Sequence, residues 1–583
     1  MSFVRRARIF GDLAMLKKMK IQNQPYIYYI FERDIMKSRW YKDAVIYQIY
    51  PRSFKDSNGD GIGDIKGITE KLDYIKDLGV DAVWLSPCYK SPNDDNGYDI
   101  SDYCDIMDDF GTLEDWQEMI DGLHKRGIKL IMDLVVNHTS DEHVWFKEAI
   151  KSKDNPYHDY YIWRKGNGKR PPNNWQACFT GSAWQYVEHL DEYYLHLFSV
   201  KQPDLNWRNE KVREEVKNIC KYWLDKGVDG FRCDVITYIA KPENMNGNIS
   251  YSAYVTGEHW EEYINELARE CWNKYDTLIV GEATGVNKKR AEEITDEKKE
   301  LLDTLFHFEH MQTDAYFGYL PKKLDLVKFK RTLSNWQRSP RSVWQSLYYE
   351  NHDQPRSIPR FMPSGKWREY SAKALATSLF FQRGTPYIFE GQEIGMTNAR
   401  FTREEFKDIA SINILKVIDK RAPFLSNFAI KALNIKARDH ARTPMQWSSN
   451  KNAGFTDGTP WMKINDNYKE INVEDDLKDE NSVLNFYKKM LKVRKEYIDI
   501  TRDGDYNDID IRNRSVFAYS RTLNDKKLVV LVNFKSKPSK VKLDGIKLDN
   551  AKVILNNAGN VPFVKNGYAM LAPCQSVVYA LSK

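Results

Sequence analysis

The chain has 583 residues, 42% hydrophobic and 29% charged, enough for one large core with smaller domains attached and too apolar for a disordered protein. The formal net charge of +6 is uneven: residues 1–35 hold seven Lys/Arg against three Asp/Glu, which leaves the remainder near neutral with no basic stripe for nucleic acid. No apolar run reaches the roughly eighteen residues of a membrane span, and the seven scattered cysteines, without a Cys-x-x-Cys pair, speak against a zinc site or disulfide framework and suit a reducing cytoplasm.

In chain order, residues 1–35 lack the uninterrupted apolar stretch of a secretory signal and fit no later element. They read as a non-core extension before a natural start at Met36-Lys-Ser-Arg-Trp-Tyr41. Short apolar runs at 44–50, 82–86, 129–136, 230–236, 277–282, 304–308, 346–353 and 385–391 then alternate with helical patterns. Ile68, Leu72, Ile75 and Leu78 recur at helical spacing, as do Val212, Val216, Ile219 and Trp223. Eight such strands predict a closed parallel (β/α)8 TIM barrel over 36–137 and 205–503, in the α/β class. The stretch 138–204, rich in Trp, Tyr, Asn and Gly, is too long for one connection and predicts an inserted subdomain walling the cleft. Beyond it, 515–521, 528–534, 553–555 and 576–581 read as strands without helices between them, with a turn near Asn524-Asp525. Residues 504–583 are therefore expected to form a C-terminal antiparallel β-sandwich.

Three of the barrel runs end in an acid: Asp234 in Gly230-Phe-Arg-Cys-Asp-Val-Ile236, Glu282 in Leu278-Ile-Val-Gly-Glu282, and Asp353 in Asn351-His-Asp353. Loops at that end of a barrel form one mouth, so the carboxylates converge and repel, and one is expected to hold a proton. A carboxylate nucleophile beside a carboxylic acid is equipment for cleaving a glycosidic bond. Arg232 lies two residues before Asp234, on the same face of the strand, where its charge should keep Asp234 ionised and lower its pKa. His138 and His352, in matched strand-end contexts, are placed to donate hydrogen bonds to sugar hydroxyls. Elsewhere, Asp56, Asn58, Asp60 and Asp64 alternate with glycines, and with the Ile62 carbonyl they could wrap one structural Ca2+ or Mg2+.

From about residue 38 onward the chain resembles the α-amylase family of glycoside hydrolases, nearest its oligo-1,6-glucosidase and α-glucosidase branch. The motifs that carry the resemblance are Asp133-Leu-Val-Val-Asn-His138, Gln202-Pro-Asp-Leu-Asn206, the three acid segments, Asn351-His-Asp-Gln-Pro-Arg356 and Arg438-Asp-His-Ala-Arg-Thr-Pro-Met-Gln-Trp447. The resemblance implies Asp234 as nucleophile, Glu282 as acid/base and Asp353 as the group that holds substrate hydroxyls and stabilises the oxocarbenium-like sugar. It also implies a glucose pocket that includes Asp95, Tyr98, Phe179, Phe198, Gln202 and Arg438, with Arg438 rather than Arg442 on the sugar. It agrees with a single structural metal ion and no organic cofactor. The partner expected is a small oligosaccharide, with neither nucleic acid nor membrane, for a monomer or weak oligomer.

Val235, directly after the nucleophile position, points to α-1,6 linkages, whereas Ala or Thr there is typical of α-1,4-cleaving maltases. A retaining, exo-acting enzyme that removes terminal α-1,6-linked glucose is therefore expected. Trehalose-6-phosphate hydrolysis, or α-1,4-glucoside or sucrose cleavage, stays open as the alternative. Ala283-Thr284 and Glu350 depart from the usual pattern of this branch on the leaving-group side.

Overall fold

The computed structural model describes residues 39–245, 253–316 and 320–582, so the extension at 1–35 lies outside the described residues. Eight strands form one parallel sheet: β1 (Ile46–Ile49), β2 (Ala82–Leu85), β3 (Lys129–Leu134), β4 (Gly230–Cys233), β5 (Leu278–Glu282), β6 (Thr304–Phe306), β7 (Ser346–Leu347) and β8 (Thr385–Phe389). The pairing order is β6-β5-β4-β3-β2-β1-β8-β7. Neighbours in the cycle are thus paired except across β6 and β7. There Thr304 Oγ1 bridges the seam, 3.1 Å from the Trp344 carbonyl and 3.2 Å from Ser346 Oγ. Nearly every residue of these strands is buried, which explains why they read as continuous apolar runs instead of alternating ones.

Each of the eight predicted runs contains a strand shorter than the run itself, and two show why. The run at 346–353 pairs only through Leu347, because the polar residues beyond it take side-chain partners in place of a ladder. Asn351 Oδ1 accepts the Asp353 N–H at 2.9 Å, and Glu350 accepts the Ser357 N–H at 2.8 Å. The run at 230–236 ends at Cys233, since Val235 takes a left-handed conformation with φ of 34°.

Helices cover the barrel as their spacing predicts. Val212, Val216, Ile219 and Trp223 form the buried stripe of helix Glu210–Asp225, and Trp223 meets Trp116 of helix Leu113–Lys125 with ring centroids 4.8 Å apart. Ile68 and Leu72 fall on two short helices, Ile65–Glu70 and Leu72–Leu78. Between β3 and β4, the strands Trp163–Arg164, Trp184–Val187 and Glu192–Leu195 make a small antiparallel sheet. After the barrel, a five-stranded and a three-stranded antiparallel sheet are present. The hairpin Val516–Leu523 to Lys526–Asn533 turns at Asn524, whose φ of 55° suits asparagine. Among the described residues no helix is long and apolar enough to cross a membrane, and all seven cysteines are free.

Candidate active site

Strand register assembles the acids. β3 pairs with β4 so that Asp133 lies beside Arg232, and β4 pairs with β5 through Cys233 and Gly281. The next step along both strands sets Asp234 beside Glu282 at the open end of the barrel. Side chains two residues apart share a face, so Arg232 sits one layer below Asp234 inside the barrel. Close approach at the base of β4 requires Gly230: a Cβ there would lie 2.0 Å from the Leu278 carbonyl oxygen.

One guanidinium binds three carboxylates. Arg232 Nη1 donates to Asp133 Oδ1 at 2.5 Å and to Asp234 Oδ1 at 2.7 Å, and Nη2 donates to Glu282 Oε2. Asp133 is fixed from its other oxygen by Trp84 Nε1 at 2.8 Å, and Arg232 lies over the Trp84 ring. This changes the expectation for Asp234. Burial pushes its pKa well above the ordinary range; Arg232 opposes that, while Glu282 and Asp133 add to it. The reason is division: a single positive charge shared by three carboxylates cannot lower all of them, and burial raises Asp133 as it raises Asp234.

Asp353 has the opposite environment. Arg438 Nη1 donates to its Oδ1 at 2.9 Å, Arg442 Nη2 at 3.1 Å, and His352 Nε2 is 3.2 Å from Oδ2. Burial would raise its pKa, but His352 and Arg438 outweigh it and hold the carboxyl well below the usual range. His352 is itself oriented. Gln48 Nε2 donates to its Nδ1 at 2.8 Å, which puts the ring proton on Nε2, facing the Tyr98 hydroxyl at 2.6 Å and Asp353. Tyr98 and His352 stack with rings 7° from parallel.

The remaining predicted residues converge on the same mouth. Gln202 Nε2 reaches Asp95 Oδ2 at 3.1 Å and His138 Nε2 at 3.1 Å. His138 is buried, which pushes its pKa down to about 4 and keeps it neutral. Asp95 is pushed up to about 7 by burial, against the pull of Arg438 and Arg442. Phe198 packs on His138 and Phe179, and Arg438 lies over the Phe179 ring at 5.2 Å. Of the two arginines, Arg438 keeps 21% of its side chain exposed and Arg442 only 1%, so Arg438 is the one that can reach a ligand. Val235 holds its left-handed backbone against the usual preference of β-branched residues, and its N–H points to Glu282 Oε2 at 3.4 Å.

Asp408 is the main residue that sequence reasoning missed. Its Oδ2 lies 2.8 Å from both Arg438 Nη2 and Arg442 Nη1, with 1% of the side chain exposed. It follows no barrel strand, and no local pattern ties it to arginines about thirty residues later. Asp133 was visible as part of a motif, but its role as a ligand of Arg232 depends on the β3–β4 register. Lys241 was also unforeseen: its buried Nζ contacts Asp204 Oδ2 and Asn137 Oδ1, both at 2.6 Å, and so ties the loops after β3 and β4 together.

Loop 56–64 follows β1, far from the acids in sequence. Asp56 accepts N–H groups of Asn58, Gly59 and Gly61; Asn58 accepts that of Asp60; Asp60 accepts that of Ile62. Asp64 caps helix Ile65–Glu70 through the Gly67 N–H. Among the described residues no three His, Cys, Asp or Glu side chains converge as a metal-ligating set. The oxygen donors at alternate positions are of the type a hard cation takes, while as folded they point at the loop's own N–H groups.

The α-amylase catalytic domain matches residues 48–504. An oligo-1,6-glucosidase of Parageobacillus thermoglucosidasius is 52% identical over 536 residues, covering 90% of this chain and 95% of that protein. One from Bacillus cereus is 48% identical over 94% of this chain and all of that protein. The crystal structure of Bacillus licheniformis trehalose-6-phosphate hydrolase superposes with a TM-score of 0.88 at 44% identity, covering 93% of this chain and 100% of that one. With the barrel, its acid-bearing mouth and these matches together, the chain belongs to the α-amylase family of glycoside hydrolases.

Proposed function

We propose that this enzyme is a retaining, exo-acting α-glucosidase that removes terminal α-1,6-linked glucose from isomaltose and short isomalto-oligosaccharides. The observation that carries the reading is the single Arg232 guanidinium bonded to both Asp234 and Glu282 at the barrel mouth. A shared cation brings the two carboxyl groups close enough for the double-displacement route, in which retaining pairs stand about 5–5.5 Å apart.

In the first step Asp234 attacks the anomeric carbon while Glu282 gives its proton to the departing glycosidic oxygen, and the C–O bond to the leaving sugar breaks. In the second, Glu282 takes a proton from water, the water oxygen attacks the same carbon, and the Asp234 ester bond breaks. Asp353, held ionised by Arg438 and Arg442, accepts substrate hydroxyls and faces the developing positive charge. Asp95, Tyr98, His138, His352, Gln202 and Arg438 surround the terminal glucose, with Phe179 and Phe198 as apolar walls. Val235, next to the scissile bond, favours the α-1,6 leaving group.

The relatives named oligo-1,6-glucosidase at 52% and 48% identity support this substrate over the trehalose-6-phosphate reading, whose solved relative is 44% identical. We also propose one structural Ca2+ or Mg2+ on loop 56–64, and a monomer or weak oligomer in the cytoplasm, the free cysteines supporting that compartment. The test of substrate is kcat/KM for isomaltose, maltose, sucrose and trehalose-6-phosphate side by side, with Asp234→Ala as the blank. Isomaltose in front is the expected result. Trehalose-6-phosphate in front replaces the reading, and maltose or sucrose in front removes Val235 as the determinant of linkage.

A further inference from the structure

A second cleft, about 1390 Å3 in volume, opens where three parts of the chain meet. One wall carries Lys322 and Lys323; a second, formed by loop 397–401 and helix Ser426–Lys436, carries Arg400, Lys431 and Lys436; the third, beyond strand Lys526–Asn533, carries Lys535 and Lys537. Arg360 forms the floor. Against these eight cations the lining holds one acid, Asp314.

That acid is already committed. Asp314 Oδ2 binds Arg360 Nε at 2.8 Å and Lys436 Nζ at 2.5 Å, and the side chains of Asp314 and Arg360 are each 3% exposed. Among the described residues the other six cations pair with no carboxylate. Their charges converge across the walls: burial lowers the pKa of Lys535, and Lys323 and Lys537 lower it further. Burial and the neighbouring Arg360 push Lys436 down to about 8. Such crowding in a body otherwise near neutral is costly unless an anion shares the space, and a concave site of one sign concentrates counter-ions. Phe361 and Phe534 give the lining apolar surface beside the charges.

We propose that this cleft is a binding site for a small molecule carrying at least two phosphate charges, distinct from the glycoside site. Walls on three sides favour this over a nucleic acid, which needs an extended stripe, or a flat membrane surface. The floor adjoins the catalytic mouth, because Arg360 Nη1 donates to the Gln354 amide oxygen at 2.7 Å, one residue from Asp353.

The probe is inorganic pyrophosphate, titrated calorimetrically into the whole protein at about 0.15 M salt, where long-range attraction is screened. Lys431→Glu and Lys537→Glu reverse charges on separate walls at exposed positions, and Lys416→Glu reverses an exposed lysine outside the cleft. One-site binding that weakens about tenfold in each of the first two variants and holds in the third supports the proposal. Absence of saturable binding overturns it, as does equal weakening in Lys416→Glu, which would report net charge alone. Binding untouched by Lys431→Glu and Lys537→Glu puts the anion elsewhere and overturns it too. Isomaltose kcat/KM is expected to be unchanged in all three variants, so this result stands apart from the glycosidase test.

Discussion

Replacing Asp408 with asparagine should cost this enzyme activity even though Asp408 touches none of the three acids. Its carboxylate sits 2.8 Å from both Arg438 and Arg442, is 1% exposed, and is held below the usual carboxylate range: burial raises it, but the two arginines outweigh that. The residue also caps helix Ile409–Arg421, where its oxygen accepts the Ala410 N–H. Asparagine is as good a cap as aspartate, so the helix start is preserved and the loss falls on the arginines. Breaking a buried ion pair from one side costs about 3–5 kcal/mol. Asn keeps the shape and one acceptor oxygen, and Asp353 still holds both arginines, so the low end, about 3 kcal/mol, applies. If that energy goes into misplacing Arg438 and Asp353, kcat/KM for isomaltose falls by about two orders of magnitude. Steady-state kinetics and calorimetric melting of Asp408→Asn and Asp408→Ala provide the assay. Activity within about threefold of wild type, at an unchanged melting temperature, would refute the reasoning and show that Asp353 alone organises the pair.

Glu282→Gln should lower kcat/KM for isomaltose by about 10²–10⁴-fold but lower it far less for an aryl α-glucoside, whose leaving group needs no proton; equal losses of kcat/KM on both would remove Glu282 as the acid. Val235→Ala should shift the isomaltose-to-maltose ratio of kcat/KM toward maltose by about tenfold, the size of one side-chain contact, and a constant ratio would exclude the contact. Asp95, with its pKa pushed up to about 7, loses its charge as pH falls through that value, so kcat/KM should fall there. Asp95→Asn should flatten that acid limb. His138→Gln should leave its position alone, because His138 titrates near 4; a limb that persists in Asp95→Asn belongs to another group. Calcium should raise the melting temperature and EDTA should lower it without changing the chemistry on the catalytic acids, and an indifferent melting temperature would dismiss the cation on loop 56–64.

Features written in short-range pattern were legible along the chain. Parallel strands buried on both faces leave continuous apolar runs, so the eight barrel strands could be counted directly. Acids at the ends of such runs had to meet at one mouth, which named Asp234, Glu282 and Asp353 together. Strand ends were less legible, because side chains such as Asn351 and Glu350 compete with the ladder for backbone N–H groups. Charge balance could not be read at all. Arg232 beside Asp234 looked like a private partner, yet the β3–β4 and β4–β5 registers divide it among Asp133, Asp234 and Glu282. Asp408 and Lys241 are invisible in any local window, since their partners come from distant segments. An electrostatic environment sums over everything within a few ångströms, whatever its place in the chain, and only the tertiary structure decides which groups those are.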